Sequence, residues 1–168
     1  SQLDADVLVV GAGPAGSAAA APLASAGRDV LLVDKARFPR EKTCGDAVTP
    51  RGVKALQQLG ALDYVTSRAH RVNGACLISP SGHSLSIPCA KYLDGWPPYT
   101  LVLPRIELDN LLREFAVSSG ARFLDDCRVA GLFENDRGAG IVARRGGEPV
   151  SLSGRVVVLA VGANMGLL

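Results

Sequence analysis

The chain has 168 residues, of which 48% are hydrophobic, so a domain with a substantial apolar core is expected and disorder is not. The formal net charge is +2 and the basic residues are scattered, which argues against a nucleic-acid partner. The four cysteines form no CxxC pair and only two histidines are present, which argues against a zinc site.

Two further patterns bear on where the protein works. The sequence has no apolar run of about 18 residues, so no transmembrane helix is predicted. No apolar leader precedes the first predicted strand, which favours a cytoplasmic protein with reduced thiols. Peripheral contact with a membrane stays open.

The first predicted elements form a βαβ unit. Residues 7–10 are a short apolar run, which predicts a buried parallel strand. An Ala-rich helix follows to about Ala26, and Pro22 inside it predicts a kink or an early end. Gly27 is the predicted stop of this helix, and Val30–Val33 is the second buried strand.

Between the first strand and the helix lies a GxGxxG motif, made of Gly11, Ala12, Gly13, Pro14, Ala15 and Gly16. The strand before it, the helix after it and Asp34 at the end of the second strand are typical of a dinucleotide-binding turn. Glycine permits the bend, the close approach of a diphosphate and the packing of helix on sheet, while the helix N-terminus offers N–H groups to phosphates. Asp34 would accept hydrogen bonds from both hydroxyls of the adenosine ribose. Its carboxylate would repel the 2′-phosphate of NADP, so NADP is disfavoured at this site.

The middle of the chain departs from an NAD-type domain, which would continue with a helix and a third parallel strand. Residues 35–48 are polar and irregular, and a short helix then ends at Gly60. Residues 71–87 predict a hairpin. This inserted layout is typical of FAD domains.

The last part of the chain predicts a return to the first sheet. Pro104 precedes a helix with apolar residues at i, i+3, i+4 and i+7, and Gly120 ends it. Residues 121–124 begin a strand, and three short strands follow as an antiparallel meander. A separate apolar strand is predicted over residues 156–161, with Gly162 at its end.

These elements predict an α/β fold: a Rossmann-type FAD-binding domain with a parallel sheet, a small antiparallel meander and an inserted β-rich segment on the substrate side. We expect residues 1–70 to form the first part of the FAD-binding core, 71–103 the insert, and 104–168 the rest of the core with the meander. Because the last strand should lead into further structure, we expect the chain to be incomplete.

Residues 6–59 resemble the N-terminal part of the geranylgeranyl reductase family, which belongs to the FAD enzymes built like para-hydroxybenzoate hydroxylase. The resemblance is carried by the GxGPAG turn, by the pairs Asp34-Lys35 and Phe38-Pro39, and by the sequence KTCGD at residues 42–46. A second match, at residues 104–109, is similar to the family's Arg-x-x-(Leu/Phe)-Asp helix start. The resemblance as a whole covers most of the chain but only the first part of a full-length family member.

The resemblance implies a larger cofactor site. The loop of Cys44, Gly45 and Asp46 would lie along the ribityl chain and isoalloxazine, with Cys44 as a proton donor, a shape element or simply a small buried side chain. Arg105 would reach the diphosphate opposite the glycine turn, because a forked guanidinium suits two phosphate charges. Further expected cofactor neighbours lie after the second strand, in the meander beside the adenine, and at the end of the final strand: Lys35, Val129, Ala160 and Gly162.

Several functions stay open. The resemblance implies an FAD-dependent oxidoreductase that reduces carbon–carbon double bonds of a small apolar, prenyl or lipid-like substrate, with NAD(P)H or another reductant as a transient electron donor. The alternatives are a flavin monooxygenase or halogenase acting on an aromatic or polyketide, and a truncated, inactive FAD-binding fragment; an NAD-dependent dehydrogenase is the least supported. Val161 and Gly162 stand where hydroxylases of this class carry an Asp-Gly pair, which favours the reductase.

Overall fold

The computed structural model describes residues 4–89 and 95–163. The strands are β1 (Ala5–Val10), β2 (Val30–Val33), β3 (Ala47–Val48), β4 (His70–Val72), β5 (Gly74–Ile78), β6 (Ser84–Pro88), β7 (Thr100–Val102), β8 (Arg122–Leu124), β9 (Cys127–Asn135), β10 (Gly138–Arg145) and β11 (Glu148–Leu159). The helices are α1 (Pro14–Ser25), α2 (Pro50–Leu59), α3 (Leu62–Thr66) and α4 (Arg105–Ser118).

The chain divides into two compact units, one of residues 1–41 with 109–168 and one of residues 42–108. The first unit carries a six-stranded sheet in the order β8-β2-β1-β11-β10-β9. Strands β8, β2, β1 and β11 run parallel, while β10 is antiparallel to both β11 and β9. The predicted α/β architecture with a parallel core and an antiparallel meander is confirmed. The three-part division at residues 70 and 103 stays a prediction.

Burial explains why the first two strands form where the apolar runs predict them. All four residues of β2 are buried, and β1 buries its last three, as expected for parallel strands covered on both faces. The register pairs Leu8 with Leu31 and Val10 with Val33, so these four side chains share one face. That face continues into the meander and forms a single core cluster of Ala5, Leu8, Val10, Leu31, Val33, Cys127, Val129, Ile141 and Ala143.

Strand β11 corrects one prediction. The third strand of the meander and the final apolar strand are one continuous strand, and it ends at Leu159 rather than at residue 161. Its first half pairs antiparallel with β10 and its second half pairs parallel with β1, with Gly154 paired to both neighbours. A Cβ at Gly154 would lie 3.2 Å from Leu8 Cγ, so this glycine permits a close strand approach instead of breaking the strand.

Helix α1 is not shortened at Pro22, and the predicted kink stays a prediction. Pro22 is exposed in the last turn of the helix, and its carbonyl accepts a hydrogen bond from the Ala26 N–H at 3.0 Å. The missing N–H of Pro22 therefore removes one bond near the helix end without stopping it. Gly27 follows with φ of 78°, which confirms the predicted stop.

The second unit carries a small antiparallel sheet in the order β3-β7-β4 and the helices α2 and α3. Val53 and Leu56 of α2 are buried, and Gly60 ends that helix in the left-handed conformation, as predicted. The predicted hairpin is the separate two-stranded sheet of β5 and β6, whose residues are all exposed. No helix within the described ranges is both long and apolar enough to cross a membrane.

Candidate functional site

The glycine turn after β1 is held by the ends of two other strands. The Gly11 N–H donates to the Val33 carbonyl at 2.8 Å, and the Ala160 N–H donates to the Val10 carbonyl at 2.8 Å. Gly11 has φ of 102°, and a Cβ there would lie 2.4 Å from the Ala160 oxygen. Both facts require glycine, and they place the end of β11 directly against the turn.

Gly16 and Gly13 join the turn to α1. A Cβ at Gly16 would lie 1.7 Å from the Gly11 oxygen, so only glycine lets the first helical turn sit this close to the strand end. Gly13 is the N-cap, and the first turn of α1 has neither an acidic residue nor a side-chain hydrogen bond from the described residues to the cap. The helix N-terminus therefore keeps N–H groups and partial positive charge that suit an anion.

Asp34 is fixed against this turn from several sides. Its carboxylate accepts hydrogen bonds from the Ala12 N–H at 2.8 Å and from the Ala36 N–H at 2.9 Å. Its backbone is held as well, since its N–H donates to the Leu124 carbonyl and its carbonyl accepts from the Cys127 N–H. Only 7% of Asp34 is exposed. A carboxylate has about four lone-pair sites, so two remain for the hydroxyls of a ribose.

Arg40 lies beside Asp34 and the turn, and the sequence interpretation missed it. Its Nη1 lies 3.1 Å from Asp109 Oδ2, its Nε lies 4.0 Å from Asp34 Oδ1, and its side chain is 15% exposed. Its Nη2 lies 3.4 Å from the position of a Cβ on Gly13. Asp109 itself is fully buried in α4. The only sequence signal was indirect, because Asp109 belongs to the second family match while its partner lies in an irregular segment.

Two aromatic rings, Phe38 and Phe123, pack together, and Phe38 lies beside Arg40. Phe38 packs edge-on against Phe123 with ring centroids 5.6 Å apart, and the guanidinium carbon of Arg40 lies 4.9 Å from the Phe38 centroid. Arg113 of α4 lies 5.3 Å from the Phe123 centroid and 5.8 Å from that of Phe38. These contacts restrict the Arg40 side chain to one side of the Phe38 ring.

In the second unit, the loop of Cys44 to Asp46 is tied to the start of α4. The Asp46 carboxylate accepts the Arg105 N–H at 3.0 Å, and its carbonyl accepts the Leu103 N–H at 3.1 Å. Cys44 and Gly45 are exposed, and a Cβ on Gly45 would meet nothing within 4 Å. The interpretation of Cys44 as a small buried side chain is therefore wrong, and its role at a flavin stays a prediction.

The remaining predicted site residues lie at four places on the first unit. Lys35 is exposed directly after Asp34. Val129 of β9 is buried in the core cluster, so only its backbone is available to flank an adenine. Ala160 lies over Gly11, and Gly162 is exposed with φ of 65°. Their contacts with a cofactor stay predictions.

Cys127 is buried in the core, and its N–H donates a hydrogen bond to the Asp34 carbonyl. Burial raises the pKa of the Cys127 thiol, and the nearby Asp126 charge adds to this while Arg145 opposes it. The buried thiol therefore stays protonated, and it packs as a small apolar side chain.

A diphosphate joined to a ribose fits the chemistry of the first unit. Phosphates suit the uncapped α1 N-terminus at Gly13, and ribose hydroxyls suit the remaining lone pairs of Asp34. A 2′-phosphate does not suit the same place, because the Asp34 carboxylate would repel it.

Comparison with known proteins agrees with this chemistry. Residues 4–164 match the family described as FAD binding domain. Menaquinone reductase of Mycolicibacterium smegmatis is 42% identical over 134 residues, which are 80% of this chain and 32% of that protein. Geranylgeranyl diphosphate reductase of Rhodobacter capsulatus is 35% identical over 162 residues, which are 95% of this chain and 38% of that protein. The resemblance to geranylgeranyl reductases is thereby confirmed, and the chain spans about a third of the length of these relatives.

A solved structure shares the fold. The crystal structure of a flavoprotein/dehydrogenase from Cytophaga hutchinsonii superposes with a TM-score of 0.84 and 25% identity. The superposition covers 92% of this chain and 38% of the other. It confirms that the chain has a fold found in a flavoprotein.

Proposed function

Because the chain belongs to the FAD binding domain family, we propose that it holds FAD for an oxidoreductase that reduces carbon–carbon double bonds of a prenyl or lipid-like substrate. The observation that carries the FAD site is the uncapped N-terminus of α1 beside the Asp34 carboxylate, which is held 2.8 Å from the Ala12 nitrogen. When bound and reduced by an electron donor, the flavin would supply the hydride, and the protein would supply binding, orientation and exclusion of water.

The residues divide by the part of the cofactor that they would meet. Gly13 and the start of α1 would face the diphosphate, and Asp34 would hold the adenosine ribose. Cys44, Gly45 and Arg105 keep the roles that the family resemblance implies, at the flavin and the diphosphate. Cys44 is exposed, which is a necessary condition for a proton donor to a substrate.

The choice of reductase over hydroxylase rests on two observations. Two of the relatives are named as reductases, of menaquinone and of geranylgeranyl diphosphate, at 42% and 35% identity. Val161 and Gly162 stand where hydroxylases of the class carry an Asp-Gly pair. A carboxylate that would help a reduced nicotinamide to meet the flavin in a hydroxylase is therefore missing, which favours the reductase.

The test uses the natural protein in which this sequence occurs, at its natural length. Purified protein is expected to be yellow, and the released cofactor is expected to be FAD by chromatography and mass spectrometry. After incubation with reduced flavin under anaerobic conditions and reoxidation of any quinol in air, menaquinone or geranylgeranyl diphosphate should keep a gain of two hydrogen atoms per reduced double bond. Transfer of one oxygen atom from O2 to an aromatic compound in air, or rapid peroxide release that the aromatic compound stimulates, would instead support a monooxygenase.

A further inference from the structure

We propose that Arg40 contacts the diphosphate of the cofactor, and that the buried Asp109 is the positioning residue that holds Arg40 in place. The inference rests on the proposed binding of FAD and adds a phosphate-binding side chain that neither the glycine motif nor the family resemblance identified. It concerns residues of the first unit alone.

The guanidinium of Arg40 lies beside the glycine turn and Asp34. Arg40 Nη2 lies 3.4 Å from where a Cβ of Gly13 would stand, and Arg40 Nε lies 4.0 Å from Asp34 Oδ1. Gly13 is where a diphosphate approaches the backbone, and Asp34 is where the ribose is held. Arg40 therefore lies between the phosphate end and the sugar end of one ligand.

Asp109 and Phe38 hold the Arg40 guanidinium in this place. Asp109 is fully buried, and its Oδ2 lies 3.1 Å from Arg40 Nη1. A buried carboxylate without a counter-charge is strongly unfavourable, so Asp109 keeps Arg40 in this place. Since Phe38 packs under the guanidinium, the fork has one orientation, in which Nη1 faces Asp109 and Nη2 faces Gly13.

The balance of charge around the glycine turn also requires a cation. A diphosphate brings two negative charges to a place that already contains the carboxylates of Asp34 and Asp109. The N-terminus of α1 offsets only about half a unit charge. A guanidinium with five N–H donors offsets one full charge and can donate to a carboxylate and a phosphate together. Without Arg40, the two carboxylates would repel the ligand that the turn is shaped to accept.

The test compares ADP with adenosine by calorimetric titration of the full chain, because the two ligands differ only in phosphate. The double variant R40Q/D109N removes Arg40 and the Asp109 carboxylate together, so it leaves neither Asp109 charged without its counter-charge nor an unpaired guanidinium. It is expected to bind ADP about 10- to 100-fold more weakly, as for a lost charge-assisted hydrogen bond, with adenosine affinity changed less than about threefold.

Two single variants separate contact from positioning. R40K keeps a cation opposite Asp109 but loses the fork, so the ADP affinity should fall by a smaller factor, about 3- to 10-fold. D109N should give a similar loss with Arg40 still present, because the fork is no longer held. R40K also keeps the inference testable if the double variant fails to fold, since its buried carboxylate stays paired.

The matched control is the Arg122–Asp29 pair, whose Arg122 Nη2 lies 2.9 Å from Asp29 Oδ1 on the surface. Asp29 precedes β2 whereas Asp34 follows it, so R122Q/D29N removes the same charges at the opposite end of the strand. That variant should leave the ratio of ADP to adenosine affinity unchanged. If R40Q/D109N leaves the ratio of ADP to adenosine affinity unchanged, either because both affinities fall equally or because neither falls, the inference is refuted while FAD binding stands. Failure of the unaltered chain to bind FAD or ADP would refute both.

Discussion

The glycine turn of the first unit and the Cys44–Asp46 loop of the second are both glycine-containing segments that the sequence assigns to one cofactor, yet they are built differently. At Gly11 and Gly16, a Cβ would collide with backbone atoms at 2.4 and 1.7 Å. At Gly45, a Cβ would meet nothing within 4 Å. The turn is specified by the fold itself, whereas the described part of the chain shows no steric reason for glycine in the loop.

The difference separates two reasons for a glycine. In the turn, the requirement comes from strand ends and helix packing, so the shape exists before any ligand arrives. In the loop, the requirement at Gly45 would have to come from what binds there. Substitutions in the turn should therefore affect stability first, and substitutions in the loop should affect cofactor affinity alone.

The largest effect is expected from Gly16→Ala. The added methyl would displace the Gly11 backbone, so the free energy of unfolding should fall by about 3 kcal/mol or more, at the upper end for overpacking. Urea denaturation followed by circular dichroism measures it. Gly27→Ala is the control, since Gly27 has no atom within 4 Å of its Cβ position and should show only the smaller cost of positive φ. Equal losses in both variants would contradict the claim that collision makes Gly16 necessary.

Asp34→Ala should come next. It removes the acceptor of two N–H groups, one of them the buried Ala12 N–H, so stability should fall by about 1–3 kcal/mol. FAD affinity should fall as well, because the ribose loses its acceptor. Asp34→Asn keeps the shape and one acceptor oxygen, and it should lose less of both. An Asp34→Ala variant that keeps wild-type stability and FAD affinity would show that this carboxylate does not organise the turn.

Gly45→Ala is expected to leave the free energy of unfolding within about 0.5 kcal/mol of the parent, since the new methyl meets no atom of the described chain. If the loop lies against the flavin, FAD affinity should nevertheless fall by about tenfold, while ADP affinity stays the same because ADP lacks the flavin. Parallel titrations with FAD and ADP measure both. Unchanged FAD affinity would remove the loop from the cofactor site.

The smallest effect concerns two cysteines, of which Cys44 lies in the exposed loop of the second unit and Cys127 lies in the core of the first unit. Exposed Cys44 should react quickly with a thiol reagent, and bound FAD should slow that reaction, whereas buried Cys127 should react only on unfolding.

Because burial raises the pKa of Cys127 above its ordinary 9.0, the folded state favours the protonated thiol. Its contribution to stability is complete below pH 9.0 and is lost as the pH rises through the raised pKa. Unfolding curves of the parent and Cys127→Ala should diverge least at high pH, and a constant difference would contradict this.

The sequence predicted the first unit well where local pattern and packing agree. The bounds of β2, the stop at Gly27 and the turn between β1 and α1 all follow from short apolar runs and glycines. It predicted β11 poorly, because it assigned residues 156–161 to a separate strand, whereas β11 is continuous from Glu148 to Leu159. A Cβ on Gly154 inside this strand would lie 3.2 Å from Leu8 Cγ, and this crowding is invisible in the local sequence because Leu8 belongs to the other end of the chain.

Arg40 could not be identified for the same physical reason. Its importance comes from Asp109, far away in sequence, and from its distance to Gly13. An arginine in a polar irregular segment looks like an ordinary surface residue until the fold buries it. Residues that act through long-range pairs leave no local periodicity or motif, whereas the glycine turn acts through its neighbours and does leave one.

The central claim is that the adenosine diphosphate half of FAD is held by the α1 N-terminus and Asp34. The most direct measurement is a fluorescence titration of the chain with FAD, followed by competition with ADP and, separately, with FMN. The account predicts that FAD binds, that ADP displaces it, and that FMN, which lacks the adenosine half, does not. A chain that binds no FAD, or one from which FMN displaces FAD as well as ADP does, would contradict it.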